Sequence, residues 1–208
     1  FVSDRWCTFL FKDLPGVDDY VEFPMADFKE SEEYGRQLLS EKKPSIIIVT
    51  ERCGVTRNRR YLNGRGWDIS EFTAKLDCLL DYHPYSVGIG DGGNEMGMGN
   101  FAPYIQEIPH SLAEPAVSCS TKPVLARCSD WGCYGIIAAL SKIRRHDLLP
   151  TSQEVQDFLV QIVDRGAVTG TGRRKYEVDG RSLKEQGEVI NRYRSLLRKE
   201  GIEGLKQG

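Results

Sequence analysis

Between residues 88 and 99 the chain reads GIGDGGNEMGMG, six glycines in twelve residues with Asp91, Asn94 and Glu95 set among them. Glycine admits positive φ and lets a backbone approach a ligand closely, as at Gly92 and Gly93, where a larger residue would intrude. The two carboxylates offer hard oxygen atoms and Asn94 an amide. That donor set suits Mn²⁺ or Mg²⁺ better than zinc or copper. Two other uses fit the same residues. Asp-Gly-Gly-Asn is a strong turn signal, because Asp and Asn hydrogen-bond their own backbone. A glycine loop can also cradle a phosphate, although carboxylates repel the anion unless a cation intervenes. No Walker pattern is present, and acids following GIGDGG fit the dinucleotide fingerprint poorly.

A second strand-to-loop junction carries the same kind of residue. The β-branched run SIIIVT reads as a buried strand and ends at Glu51 in TERCG, while YSVGI reads as another and ends at Asp91. In open α/β sheets, residues just past the carboxyl ends of strands line the ligand crevice. Glu51 and Asp91 therefore face one place if these two strands are neighbours. Asp77 and Asp81 fall one turn apart on a helix expected over residues 70–81, with Thr73 on the same side. Such a pair also suits a solvated face. Trp131 and Tyr134 in SDWGCYG fit either a core or a substrate platform. RNRR at residues 57–60 fits either a grip on an acidic substrate or a solvated loop.

The elements that would position these residues alternate between strand and helix. RWCTFLF and LPGVDDYVEFPM read as extended segments around a Pro-Gly turn. A surface helix is expected over 31–42, and a helix with Ile69, Phe72, Leu76, Leu79 and Leu80 inward follows Asp68 or Ser70 as N-cap. PAVSCSTKPVLARC reads as one or two strands interrupted at Lys122-Pro123. Helices are expected over 133–146, over TSQEVQDFLVQIVDRG and over 183–200. Thr151 with Glu154 makes a capping box for the second of these, and Gly166 a stop. GAVTGTGRRKYEVDG between the last two reads as a glycine-turned hairpin. Strands separated by helices predict one α/β domain over 1–208, a three-layer sandwich with a mostly parallel sheet flanked by helices.

Composition excludes several classes. With 28 Lys and Arg against 30 Asp and Glu, the net charge of −2 predicts no nucleic-acid partner. No apolar run reaches the ~20 residues of a membrane span, so no membrane partner is predicted. The chain opens FVSDRW, without Met or a signal-like segment, so its amino terminus reads as incomplete. Its six cysteines (Cys7, Cys53, Cys78, Cys119, Cys128, Cys133) lack C-x-x-C spacing and read as reduced, mostly buried thiols of a cytoplasmic protein. His83, His110 and His146 stand apart from them, which argues against structural zinc.

The segments ERCG, RRYLNGRGWDIS, FTAKLD, GIGDGGNEMGMGN and SDWGCYGIIAAL resemble, in order, the D-glutamate cyclase family, in particular its carboxy-terminal cyclase-like domain. The similarity runs from about Ser45 to about Gly180. It implies a metal-binding α/β protein, Mn²⁺ (or Mg²⁺) as cofactor, a small acidic substrate and a homo-oligomer. The implied reaction is that of a lyase, cyclising D-glutamate to 5-oxo-D-proline with loss of water. Carried over position by position, the metal ligands are Glu51, Asp77, Asp91 and Glu95, with Asp68 as a further acid. Glu51 and Asp77 are the candidate bases, and Asn63, Asn94, Gly92 and Gly93 the substrate contacts. The resemblance also admits a Mn²⁺-dependent phosphatase acting on a small ester. A non-catalytic metal- or metabolite-binding domain is a third reading. CSTKPVLARC lacks the acid that the family often carries there, and SDW stands where Ser-Asn-Trp is usual, which implies fewer bound ions.

Overall fold

Asp4 caps a helix where the sequence suggested an extended segment. Its carboxylate accepts a hydrogen bond from the Trp6 amide, 3.1 Å away, and α1 (Arg5–Phe11) follows. An N-cap aspartate satisfies one of the free amides of the first turn, and here that outweighs the β-favouring aromatics. The computed structural model describes residues 1–14, 16–108, 111–202, 204 and 206. Pro15 of the expected Pro-Gly turn, and His110, lie outside the described residues. Before α1, β1 (Val2–Ser3) pairs in parallel with β2 (Val21–Glu22).

Residues Phe1–Ser129 form one compact unit. After β2 come α2 (Phe28–Lys42), capped by Asp27, and β3 (Ile47–Thr50). The expected helix over 70–81 does not run through. Ser70–Phe72 makes a single 3₁₀ turn, Thr73 is extended, and α3 is only Cys78–Asp81. Tertiary hydrogen bonds take the intervening backbone: Ala74 accepts from Arg52 at 3.1 Å and donates to Asp4 at 3.5 Å. Thr73 and Asp77 therefore do not share a helix face, and Phe72 is exposed. After α3 come β4 (Ser86–Gly90) and α4 (Ala102–Ile105), then β5 (Lys122–Leu125).

The order β3-β4-β5 is a parallel sheet, with Thr50 opposite Ile89 and Gly90 opposite Leu125. This bears out the α/β class and the parallel pairing. β5 runs through Lys122-Pro123 rather than breaking there. It is one of the two edge strands of this sheet, where a residue without an N–H is tolerated. Phe23, Leu38, Val49, Leu76, Leu79 and Leu80 form the core of this unit, with α2, α3 and β3 each contributing.

Residues Asp130–Gly208 form a second compact unit. It holds all but the first residue of α5 (Ser129–Arg144), then α6 (Ser152–Asp164), β6 (Glu177–Val178), β7 (Arg181–Ser182) and α7 (Leu183–Lys199). The expected Thr151–Glu154 capping box is present. The hairpin is shorter than expected and turns at Asp179-Gly180, both at positive φ (49° and 71°), as a tight two-residue turn requires. Tyr134, Leu149, Ile190 and Leu197 pack its core. Arg194 and Asp147, both fully buried, pair at 2.8 Å beside them, and Arg194 also donates to the Leu149 and Pro150 carbonyls.

All six cysteines are free. Only Cys78 and Cys128 are buried; Cys119 is exposed, because it alternates with the inward-facing Ser118 and Ser120 along an extended segment. Among the described residues, no helix is long and apolar enough to cross a membrane.

Candidate functional site

The parallel pairing of β3 with β4 puts two chain reversals side by side. Just beyond the strands, residues 52–54 fold back against 94–96: the Met96 amide donates to the Arg52 carbonyl at 2.6 Å and the Gly54 amide to the Asn94 carbonyl at 2.8 Å. Cys53 and Glu95 are thereby bridged antiparallel. The acids of the two loops meet as expected from the strand ends. One carboxylate oxygen from each of Glu51, Asp91 and Glu95 lies within 4.8 Å of the other two.

Glu95 is buried, with 2 % of its surface exposed, and its carboxylate is wrapped by its own loop. The Gly92 amide donates to Oε1 at 2.7 Å and the Gly93 amide to Oε2 at 2.6 Å, with Asp91 more distant at 3.4 Å. The turn reading is met here by Glu95 itself, which staples the loop while its carboxylate lies beside those of Glu51 and Asp91. Gly92 and Gly93 accordingly give their amides to Glu95. Two glycines are needed for this geometry. A side chain at Gly90 would place its Cβ 2.8 Å from Glu95 Oε2, and Gly93 sits at φ +90°.

Glu51 stands at the exposed side of the group in a left-handed conformation (φ 54°). The hydroxyl of Ser129, at the start of α5, donates to its Oε1. Sequence reasoning missed Ser129. The signal lay in SDW directly after a third strand, since β5 ends at the same edge of the sheet and the Ala126 amide donates to Gly90.

The remaining expected residues lie elsewhere. Asp77 is not in the acid group. It is buried, accepts from the Val55 amide at 3.0 Å and from the Tyr61 hydroxyl at 2.8 Å, and so ties down the loop after β3. Burial, then the charge of Asp77 and its hydrogen bond, push the Tyr61 phenol up, so it stays a donor. Asp68 is also outside the group. Its hydrogen bonds from Ser70 hold its carboxyl below the usual range. Asn63 Oδ1 accepts from the Arg65 and Trp67 amides, both at 3.0 Å, closing its own turn. Asn94 donates to the Leu62 carbonyl at 3.4 Å, and its Oδ1 faces Gly92 and Gly64.

Arg52 anchors this loop from below. It pairs with the buried Asp4 at 2.5 Å and donates to Ser3, which connects β1 to the site. Cys53 touches the site, but burial raises its thiol pKa and the charges of Glu95 and Glu51 add to this, against the hydrogen bond from Asn94. The three grouped side chains all offer carboxylate oxygens.

A family model described as D-glutamate cyclase-like, C-terminal matches residues 10–194. The chain belongs to this family. Its relatives include the human (Homo sapiens) protein D-glutamate cyclase, mitochondrial, 29 % identical over 102 residues. That match covers 45 % of the present chain and 16 % of the human protein, so this D-glutamate cyclase-like chain corresponds to a small part of its relative. The acid group falls inside the family match, as do Asp77, Tyr61 and Ser129.

Proposed function

We propose that the chain is a metal-dependent D-glutamate cyclase-like enzyme that converts D-glutamate to 5-oxo-D-proline with loss of water. The observation that carries this is the convergence of Glu51, Asp91 and Glu95 at the ends of adjacent parallel strands, in a chain of that family. The donor set fits a hard divalent ion. Three carboxylates this close repel one another, and a cation relieves that repulsion. Glu51, Asp91 and Glu95 would hold Mn²⁺ (or Mg²⁺), which when bound supplies a Lewis acid that offsets the charge of the substrate γ-carboxylate.

The chain's own residues do the rest. Asn94 Oδ1, turned toward Gly92, accepts from the substrate ammonium. Glu51 at the rim takes a proton from that nitrogen, a form of help typically worth ~10²–10⁴-fold. The amine then bonds to the γ-carbon. The nitrogen loses two protons in all and the departing oxygen gains them, so one water leaves and no outside acid is needed. Glu51 suits this relay better than Asp77, which lies outside the acid group and instead anchors Val55 and Tyr61.

A chiral assay of D- and L-glutamate, with and without Mn²⁺, tests the reading. Metal-dependent 5-oxo-D-proline from the D isomer alone is expected. Phosphate release from a panel of small esters without 5-oxoproline would replace it with the phosphatase reading. That reaction needs two ions ~3.5–4 Å apart, more than three acids readily hold. Mn²⁺ binding with silence in both assays would leave a binding domain. A cytoplasmic setting and homo-oligomerisation belong to the same proposal; the second predicts more than 23.5 kDa by light scattering.

A further inference from the structure

We infer that Ser129 is a positioning residue for the metal centre, acting through Glu51; this rests on the function proposed above. Ser129 has no exposed surface, whereas Glu51 is exposed. A surface carboxylate on a flexible chain ordinarily samples several rotamers, and ordering it before an ion arrives removes part of the entropic penalty of binding. The Ser129 hydroxyl donates to Oε1 and so holds the carboxylate against the protein wall. An ionised carboxylate has about four acceptor positions, which leaves it able to bind an ion while keeping this hydrogen bond.

The source of the donor matters. Asp91 and Glu95 share the glycine loop after β4, and the amides of that loop hold Glu95. Glu51 belongs to the loop after β3, and its φ of 54° is a conformation that residues with a side chain adopt only when their surroundings hold them. Ser129 comes from neither loop. It follows β5, which is paired to β4 as far as Gly90 and Leu125. Its hydroxyl therefore refers the Glu51 carboxylate to the sheet, so that ends of all three strands define the ion position. A helix-start serine would ordinarily turn its oxygen to the helix amides as an acceptor; here its proton is directed to a carboxylate.

The test is Mn²⁺ binding by electron paramagnetic resonance and calorimetry on the full chain, without substrate. Loss of an outer-shell partner typically weakens a metal site by 10–100-fold. Ser129→Ala is expected to weaken Mn²⁺ binding about tenfold, and Ser129→Thr to restore most of it. In a Glu51→Gln background, Ser129→Ala should change the affinity by less than about twofold, because the residue through which it acts is gone. If Ser129→Ala does not fold, Ser129→Cys takes its place, since a thiol of similar size donates poorly. Equal binding by wild type and Ser129→Ala would overturn the inference. So would an equal loss in both backgrounds, which would make Ser129 merely structural. Absence of Mn²⁺ binding by wild type would overturn the metal centre itself and this inference with it.

Discussion

Glu95→Gln separates the two roles the structure gives this residue. The glutamine keeps one carbonyl oxygen but turns an NH₂ group toward either the Gly92 or the Gly93 amide, both of which now donate to the carboxylate at 2.7 and 2.6 Å. Losing a hydrogen bond to a charged group costs ~1.5–3 kcal/mol, and a buried amide left facing another donor costs ~1–3 kcal/mol more. Set against this is relief from two neighbouring carboxylates. At the 4.8 Å limit of the acid group each pair is worth roughly 1 kcal/mol where water at the exposed Glu51 side screens it. The net expectation without metal is a loss of about 2 kcal/mol. Mn²⁺ at a hundredfold excess over Kd would add ~2.7 kcal/mol to wild type through binding to the native state alone. The variant should gain little, so the gap widens to about 4–5 kcal/mol. Urea unfolding followed by circular dichroism, in EDTA and in MnCl₂, reads both numbers. Glu51→Gln is the control: it relieves the same repulsion and its amide oxygen can still accept from Ser129, so the EDTA curve should stay in place or shift slightly toward stability. A Glu95→Gln curve that overlays wild type in EDTA would refute the staple. A gap unchanged by Mn²⁺ would refute metal ligation by Glu95.

Three further outcomes are expected. Tyr61→Phe removes the buried donor to Asp77 and should destabilise the protein by ~1–3 kcal/mol in thermal unfolding, while Glu51→Gln should abolish turnover without that loss. Arg194→Met leaves Asp147 buried without its partner and should cost about 3–5 kcal/mol at pH 7. Burial acts to raise the Asp147 carboxyl, but the hydrogen bonds from Arg194, Lys206 and Leu149 outweigh it and hold the carboxyl below its ordinary value. Its contribution is therefore present above the unfolded value near pH 4 and is lost as pH falls through the folded one. The gap between wild type and Arg194→Met should narrow below pH 4 in acid titrations. Burial, with Asp77 and Asp81 adding, pushes the Cys78 thiol up to about 12, so iodoacetamide at pH 8 should label exposed Cys119 first and Cys78 last, as peptide mass spectrometry would show.

Much of the site could be read from residue order. Glu51 and Asp91 each follow a short β-branched or glycine-rich strand, and the parallel α/β pattern already implies that such ends share an edge. The Thr151–Glu154 box and the helix it starts were equally legible, because capping and a 3.6-residue stripe are local. The segment after Asp68 was not. Its apolar spacing is helical, yet Arg52 and Asp4, 22 and 70 residues away from Ala74, take backbone groups that a helix would have used. Asp4 likewise turned an aromatic run into α1 through one cap.

By itself the sequence determined the class of fold, the glycine-acid loop and its family, since each depends on residue type and near-neighbour spacing. Tertiary structure decided which acids meet. Asp77 and Asp91 are alike as letters, but Tyr61 and Val55 draw one into a loop anchor, while strand pairing carries the other to Glu51 and Glu95. It also supplied Ser129, 78 residues from its partner Glu51. A carboxylate's role follows from which donors and charges surround it, and those surroundings exist only once distant segments have been brought together.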